Sequence, residues 1–263
     1  MRVMWKGTVS FGLVTIPVKA FGATESRSVG FHQLHARDLG RIQYRRYCSV
    51  CGEEVRFEDI VRGHEHEKED YVVVSDEELD ALPVRSNHVV DILQFVDLHE
   101  IDPIYFQRSY YLVPEKIGVK AYSLLREAMQ RGERVAVAKV TIRDKEHLAV
   151  VRARDDVLLL ETMYWPDEIR EPAFSELDED VEVRPRELQM AESLIEGLTE
   201  PWRPEQFHDD YREKLLELIK AKAAGKTPAA APPEEKAEVI DLVAALKASV
   251  DAAKNRRAEQ AGA

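Results

Sequence analysis

The sequence predicts a mainly β fold with added helices, on three observations. Runs of β-branched and aromatic residues of strand length recur as far as Leu160, the apolar period lengthens from two to about 3.6 after Pro185, and a Pro- and Ala-rich stretch then isolates a last short apolar stripe. The expected organisation is a β core with its excursions over 1–184, a helical segment over 185–224, a flexible linker over 225–236, and a C-terminal helix with a short tail over 237–263.

Taken in order, Val9 to Val18 alternates apolar with small or polar residues, and Gly12 and Pro17 punctuate the run. This predicts one strand that bends or lies at a barrel edge, because proline has no N–H to give to a central ladder. Further strands are expected at Tyr71 to Val74, Val89 to Val96, Tyr110 to Val113, Val135 to Arg143 and Leu148 to Leu160, the last two joined by the polar turn Asp144-Lys145-Glu146. Ser75-Asp76-Glu77-Glu78 is a capped acidic helix start, with the serine able to accept from the backbone three residues on. Val119 to Arg131 reads as a helix with Leu124, Leu125, Ala128 and Met129 on one stripe.

Beyond Pro185, Leu188, Ala191, Leu194, Ile195 and Leu198 mark one amphipathic helix, and Phe207, Tyr211, Leu215, Leu218 and Ile219 a second. Both are expected to fold back on the core. Gly225 to Pro233 is too rich in Pro and Ala, and too poor in large apolar groups, to be anything but a linker. The final stripe, Val239, Ile240, Leu242, Val243, Leu246 and Val250, belongs to a helix too short to be stable alone in water, so it is expected to dock on a partner.

Composition narrows the class of function. At 263 residues and 44% hydrophobic, the chain can bury a sizeable core, and no run approaches the roughly 18–20 apolar residues of a membrane span. A soluble, cytoplasmic protein without a membrane partner is expected. Two cysteines are no disulfide framework. The net charge of −12 argues against nucleic acid until it is resolved along the chain. The first fifty residues hold eight bases, Arg2, Lys6, Lys19, Arg27, Arg37, Arg41, Arg45 and Arg46, against Glu25 and Asp38, so this segment is at +6 and the remainder at −18. Exposed charges act over a Debye length of about 8 Å, and a local basic face can therefore govern a contact in an acidic protein.

Aromatics interleave with these bases: Trp5, Phe11, Phe21, Phe31, Tyr44 and Tyr47. Arg41, Gln43 and Arg45 alternate, a spacing that can follow a phosphate backbone from an extended segment. Arg41, Arg45 and Arg46 are the first candidates for DNA contacts, followed by Lys6, Lys19, Arg27 and Arg37. A second candidate face combines Lys139, Thr141 and Arg143 with Arg152 and Arg154 across the expected hairpin. Against both stands the plainer reading of charged residues that solvate a strand's outer face. No base-reading helix or Gly-rich phosphate loop is present, so phosphate and sugar contacts without sequence readout are expected.

His32-x2-His35-x12-Cys48-x2-Cys51 has spacing compatible with a tetrahedral zinc site. In a strand the two histidines would face opposite ways, so a four-ligand site needs a bend there; the rivals are a Cys-x-x-Cys from each of two subunits and a pair of reduced structural thiols. No other cofactor is called for. His64 and His66, inside Arg62 to Asp70, and the acidic run Glu176 to Asp180 read as solvated polar segments. No Gly-x-Ser-x-Gly, Walker loop or dinucleotide fingerprint occurs, and an enzymatic reading has no residues to stand on.

The motifs Trp5-Lys6-Gly7, Phe11-Gly12-Leu13-Val14, Ile16-Pro17-Val18-Lys19 and Cys48-x2-Cys51-Gly52-Glu53-Glu54 closely resemble bacterial Ku, the DNA-end-binding family of non-homologous end joining. Tyr71 to Leu79 and Met163 to Arg170 resemble it too. The resemblance implies a Ku-type β-barrel core with a strand-and-helix arch and a homodimer that forms a ring around DNA. It further implies threading of a double-stranded end through that ring, recruitment of the bacterial repair ligase, with the terminal stripe as its candidate dock, and a nucleoid-associated location. The alternative is a zinc-dependent nucleic-acid-binding regulator built on the His and Cys cluster.

Overall fold

A computed structural model describes residues 1–82, 88–142, 145–177, 181–226 and Ser249. The terminal stripe from Val239 to Val250, the linker from Thr227 on, and Arg143 lie outside the described residues. The elements run β1 (Val3–Phe11), β2 (Val14–Gly22), β3 (Arg62–Glu67), β4 (Asp70–Val74), α1 (Asp76–Asp80), β5 (Val89–Val96), β6 (Phe106–Pro114) and α2 (Val119–Gly132). They continue with β7 (Val135–Ile142), β8 (Lys145–Arg154), β9 (Val157–Met163), α3 (Pro185–Leu198) and α4 (Asp210–Ala223). The chain divides into two compact units, one of Met1–Arg27 with Phe31–Glu171, the other of Ser28–Gly30 with the chain from Pro172 on.

Seven strands close a barrel in the order β1-β2-β6-β9-β8-β7-β5. Every seam is antiparallel except the last, where β1 and β5 run parallel through Thr8↔Val89, Val9↔Val90 and Ser10↔Asp91. The interior is filled by Val9, Ile16, Leu112, Val140, Leu158 and Leu160 together with Ala20, Ala136, Ala138 and Ala149. A seven-stranded barrel is narrow, and the alanines let its walls approach without voids. A second, smaller cluster of Val135, Val150 and Met163 packs on the outside of the wall, which is why β7 and β8 read as apolar on both faces.

Two expected strands prove to be hairpins. Val9 to Val18 belongs to β1 and β2, reversed at Gly12-Leu13, with Gly12 at φ +58° supplying the left-handed backbone that a tight two-residue turn requires. Leu148 to Leu160 is split by Asp155-Asp156, with Asp155 at φ 49°. Pro17 is not on an edge strand, since β2 pairs on both sides. The β2–β6 ladder begins only at Val18↔Pro114, so a missing N–H at Pro17 forfeits no bond on that side.

The helix α2 lies across one end of the barrel. It buries Tyr122, Leu125 and Met129 at spacings of three and four, while Leu124 and Ala128, both expected on the stripe, are exposed, Leu124 at 67%. The Tyr122 hydroxyl donates to the Leu112 carbonyl at 2.6 Å and accepts from the Leu158 N–H at 2.6 Å, closing the end of the β6–β9 seam. Arg126 to Asp156 at 2.7 Å and Gln130 Nε2 to the Asp155 carbonyl at 2.7 Å tie the same helix to the β8–β9 turn.

Between β2 and β5 the chain leaves the barrel. No described residue from Ala23 to Leu82 is buried. Single bridges at Leu34↔Arg41 and Tyr47↔Glu54 brace the first part, and β3 with β4 forms an isolated hairpin. The charged stretch Arg62 to Glu67, expected as a polar turn, is thus a strand of this exposed hairpin. α1 has the expected capping box, with Ser75 Oγ accepting from the Glu78 N–H at 3.2 Å and Glu78 accepting from the Ser75 N–H at 2.8 Å. In the second unit, α3 and α4 are the two expected helices; neither has a buried residue, and Trp202 stacks on Phe207 between them at 4.9 Å.

Candidate nucleic-acid interface

The basic opening segment is divided between the barrel and the excursion. Lys6 on β1 and Lys19 on β2 are direct cross-strand partners on the outer face, since their neighbours Trp5, Val18 and Ala20 point inward. Like charges set opposite each other repel. Glu115 relieves Lys19 at 3.4 Å, whereas Lys6 has no ion pair among the described residues. The pair is a ready contact for an anion that bridges both ammonium groups.

Arg27, Arg37, Arg41, Arg45 and Arg46 all lie exposed in the excursion. Arg27 is paired with Glu25 at 2.9 Å and Arg45 with Glu54 at 2.9 Å, while Arg46 sits over the Phe57 ring at 5.4 Å. Such exposed pairs hold their cations loosely, because both partners remain in water. Arg37 and Arg41 have no ion pair among the described residues, and around Arg41 the backbone is irregular rather than a strand. The excursion therefore offers its guanidinium groups to solvent.

The second candidate face is built differently. Lys139, Arg152 and Arg154 share the barrel's outer wall, but each faces a carboxylate. Lys139 pairs with Glu146 at 3.3 Å and lies over the Trp165 ring at 5.2 Å, and Arg154 is 3.8 Å from Asp155. Arg152 grips Glu161 with two bonds, at 2.7 and 3.1 Å, in a partly buried setting, and this bond raises its pKa. A bidentate pair held like this braces β8 against β9 and leaves little for a phosphate.

Of the four expected metal ligands the structure brings together only Cys48 and Cys51. The Cys48 carbonyl accepts from the Gly52 N–H at 2.9 Å, with Gly52 at φ +73°, so the turn presents both thiols on one side. Backbone N–H groups of Cys51 and Val50, then the Cys51 side chain, lower the Cys48 pKa. His35 is occupied by Asp38 at 3.1 Å. Among the described residues no group of three or more His, Cys, Asp or Glu converges on a metal-sized site. Two thiols leave two of zinc's four positions unfilled within one chain.

Residues 10–190 match the family model of the Ku70/Ku80 beta-barrel domain, a span from the end of β1 through the excursion and barrel into α3. The chain belongs to the Ku family. It is 49% identical over 260 residues to the non-homologous end joining protein Ku of Symbiobacterium thermophilum, covering 98% of this chain and 65% of that protein. It is 46% identical over 262 residues to Ku 2 of Saccharopolyspora erythraea, covering 98% and 86%, and 39% identical over 261 residues to Ku of Mycobacterium tuberculosis H37Rv, covering 96% of each. The chain thus spans about two thirds of the Symbiobacterium relative's length. In Ku terms the excursion from Ala23 to Leu82 is the arch expected from the sequence, and the barrel beneath it is the family's core.

One cluster has no counterpart in the sequence reading. At the barrel end opposite α2, Arg108 from β6 and Lys145 and His147 from β8 line an open cavity of about 300 Å³ with Gln107, Tyr110 and Thr162. Nothing local announces it, because closure of the barrel brings together positions nearly forty residues apart. Among the described residues, no helix is long and apolar enough to cross a membrane.

Proposed function

We propose that this Ku-family chain binds double-stranded DNA ends without reading their sequence, as a homodimer whose two arches close a ring around the duplex, in the non-homologous end joining of breaks. The observation that carries this reading is the arch itself. It holds no buried described residue, yet it exposes Phe31, Tyr44, Tyr47, Phe57 and Tyr71 alongside Arg37, Arg41, Arg45 and Arg46. An isolated two-stranded hairpin is marginal in water, and so much exposed apolar surface calls for a covering surface. A second copy of the arch supplies it and leaves the arginines facing an enclosed space. The relatives' printed names, non-homologous end joining protein Ku, support the same role.

A closed ring admits a duplex only from a free end. Binding of a linear duplex is therefore expected to exceed binding of the same sequence covalently closed into a circle, and equal affinity for the two would rule out threading. The role is that of a clamp without a catalytic step, located at the nucleoid. We further propose that the stripe from Val239 to Val250 docks the repair ligase. Truncation after Gly225 should spare end binding and reduce ligase stimulation; unchanged stimulation would defeat this assignment.

A further inference from the structure

The open mouth of the barrel has the makings of a second binding site. Its floor is the buried Thr162 and Ile142 with the half-buried Tyr110, and its rim carries Arg108 and Lys145 with His147 on the wall between. All of these positions belong to the end at which β6, β7, β8 and β9 meet, remote from the helix-covered end. The cavity of about 300 Å³ lies at the lower limit of small-ligand pockets, which run from about 300 to 1,000 Å³. That is ample for a phosphoryl group and the group attached to it.

Charge gives the ligand's sign. Arg108 has no ion pair among the described residues, and Lys145 meets only Glu168, at 3.4 Å. Glu168 is itself engaged by the Trp165 N–H at 2.9 Å, the leading cause of its lowered pKa. With His147 neutral the mouth carries a net positive charge of one, and protonation of His147 adds another. Partial burial lowers the His147 pKa, Lys145 and Arg108 lower it further, and Glu168 opposes them. An arginine fork, a lysine and an imidazole around hydroxyl-bearing walls match the donor set that a tetrahedral oxyanion requires. We propose that the barrel mouth binds a phosphate monoester through Arg108, Lys145 and His147.

The site stands whether or not the chain binds DNA ends, since it lies on the barrel and draws on none of the arch arginines. Proton linkage follows from the geometry. An anion set between Arg108 and Lys145 reverses the field at His147, so a bound phosphate raises the pH at which the ring takes up its proton.

The test uses the full chain and inorganic phosphate, with the His147 ring signal assigned by comparison with His147→Gln. Expected is a saturable shift of that signal by phosphate and not by chloride at equal ionic strength, with the pH midpoint of the His147 ring signal moved upward when phosphate is saturating. Arg108→Gln breaks no described ion pair and should weaken binding about tenfold or more, the worth of one charge-assisted hydrogen bond. Lys145→Met supplies an independent variant should the first fail to fold. No saturable shift at millimolar phosphate, or an unsubstituted chain's affinity retained in both variants, overturns the proposal. Competition by a duplex bearing a 5′-phosphate, and not by its 5′-hydroxyl counterpart, would assign the monoester to a DNA terminus; competition by neither would assign it to a free phosphate, and the site stands in both cases.

Discussion

At the scale of single residues, the motif Trp5-Lys6-Gly7 has a packing explanation and a charge explanation. Trp5 turns inward, 8% exposed, and its Nε1–H donates to the Thr141 carbonyl at 3.0 Å, spanning from β1 to β7. The indole occupies the space above Gly7, where a Cβ would come within 2.3 Å of the ring and 2.1 Å of the His88 carbonyl. That carbonyl accepts from the Thr8 N–H at 3.0 Å, at the seam that closes the barrel. Gly7→Ala must therefore displace either the tryptophan or the seam. It should cost about 3 kcal/mol, as overpacked cores do, measured by denaturant unfolding. Lys6, between them, points out to pair with Lys19. The sequence displays this motif plainly. It could not show that Arg45, Arg152 and Lys139 already have carboxylate partners, because those contacts join positions from seven to nine residues apart that only pairing brings together.

At the scale of elements, strand periodicity was legible and strand number was not. The runs at Val89 to Val96 and Val135 to Arg143 correspond to β5 and to β7, which ends at Ile142, where a long apolar alternation has no internal turn signal. Gly12-Leu13 and Asp155-Asp156 interrupt the alternation too briefly to break it, so in the sequence each hairpin has the pattern of a single strand. The α2 stripe departs from the expected one at Leu124 and Ala128, both exposed, for a related reason: apolar residues stand at neighbouring positions such as Leu124 and Leu125, and only the barrel end decides which faces in. The structure chooses Leu125, with Tyr122 and Met129. Leu125→Ala should cost about 2–5 kcal/mol and Leu124→Ala less than about 0.5 kcal/mol in thermal or denaturant unfolding. Equal costs would mean that the helix packs by a different face.

At the scale of the whole molecule, the segregation of charge finds a physical form. The +6 opening segment supplies the first hairpin of the barrel and the first part of the exposed arch, while the rest of the arch, from Cys51 to Leu82, carries three bases against twelve acids and belongs with the −18 remainder. An enclosed basic face in an acidic protein concentrates field where a duplex would pass and discourages contact elsewhere. If about eight phosphates are neutralised per dimer, log affinity for a linear end should fall with log salt at a slope near −7, at roughly −0.9 per contact. A slope near zero in an anisotropy titration would remove the electrostatic basis of the reading. The parallel seam between β1 and β5 also sets a timetable for synthesis. The β1–β2 hairpin leaves the ribosome first, but one of its edges waits for Val89 to Asp91 and the other for Tyr110 to Pro114. At about 5–20 residues per second, those edges stay unpaired for several seconds while the arch is made. The first two strands are thus the part of the nascent chain most open to pairing with a neighbouring copy, and the excursion between β2 and β5 is what delays the closing of the barrel.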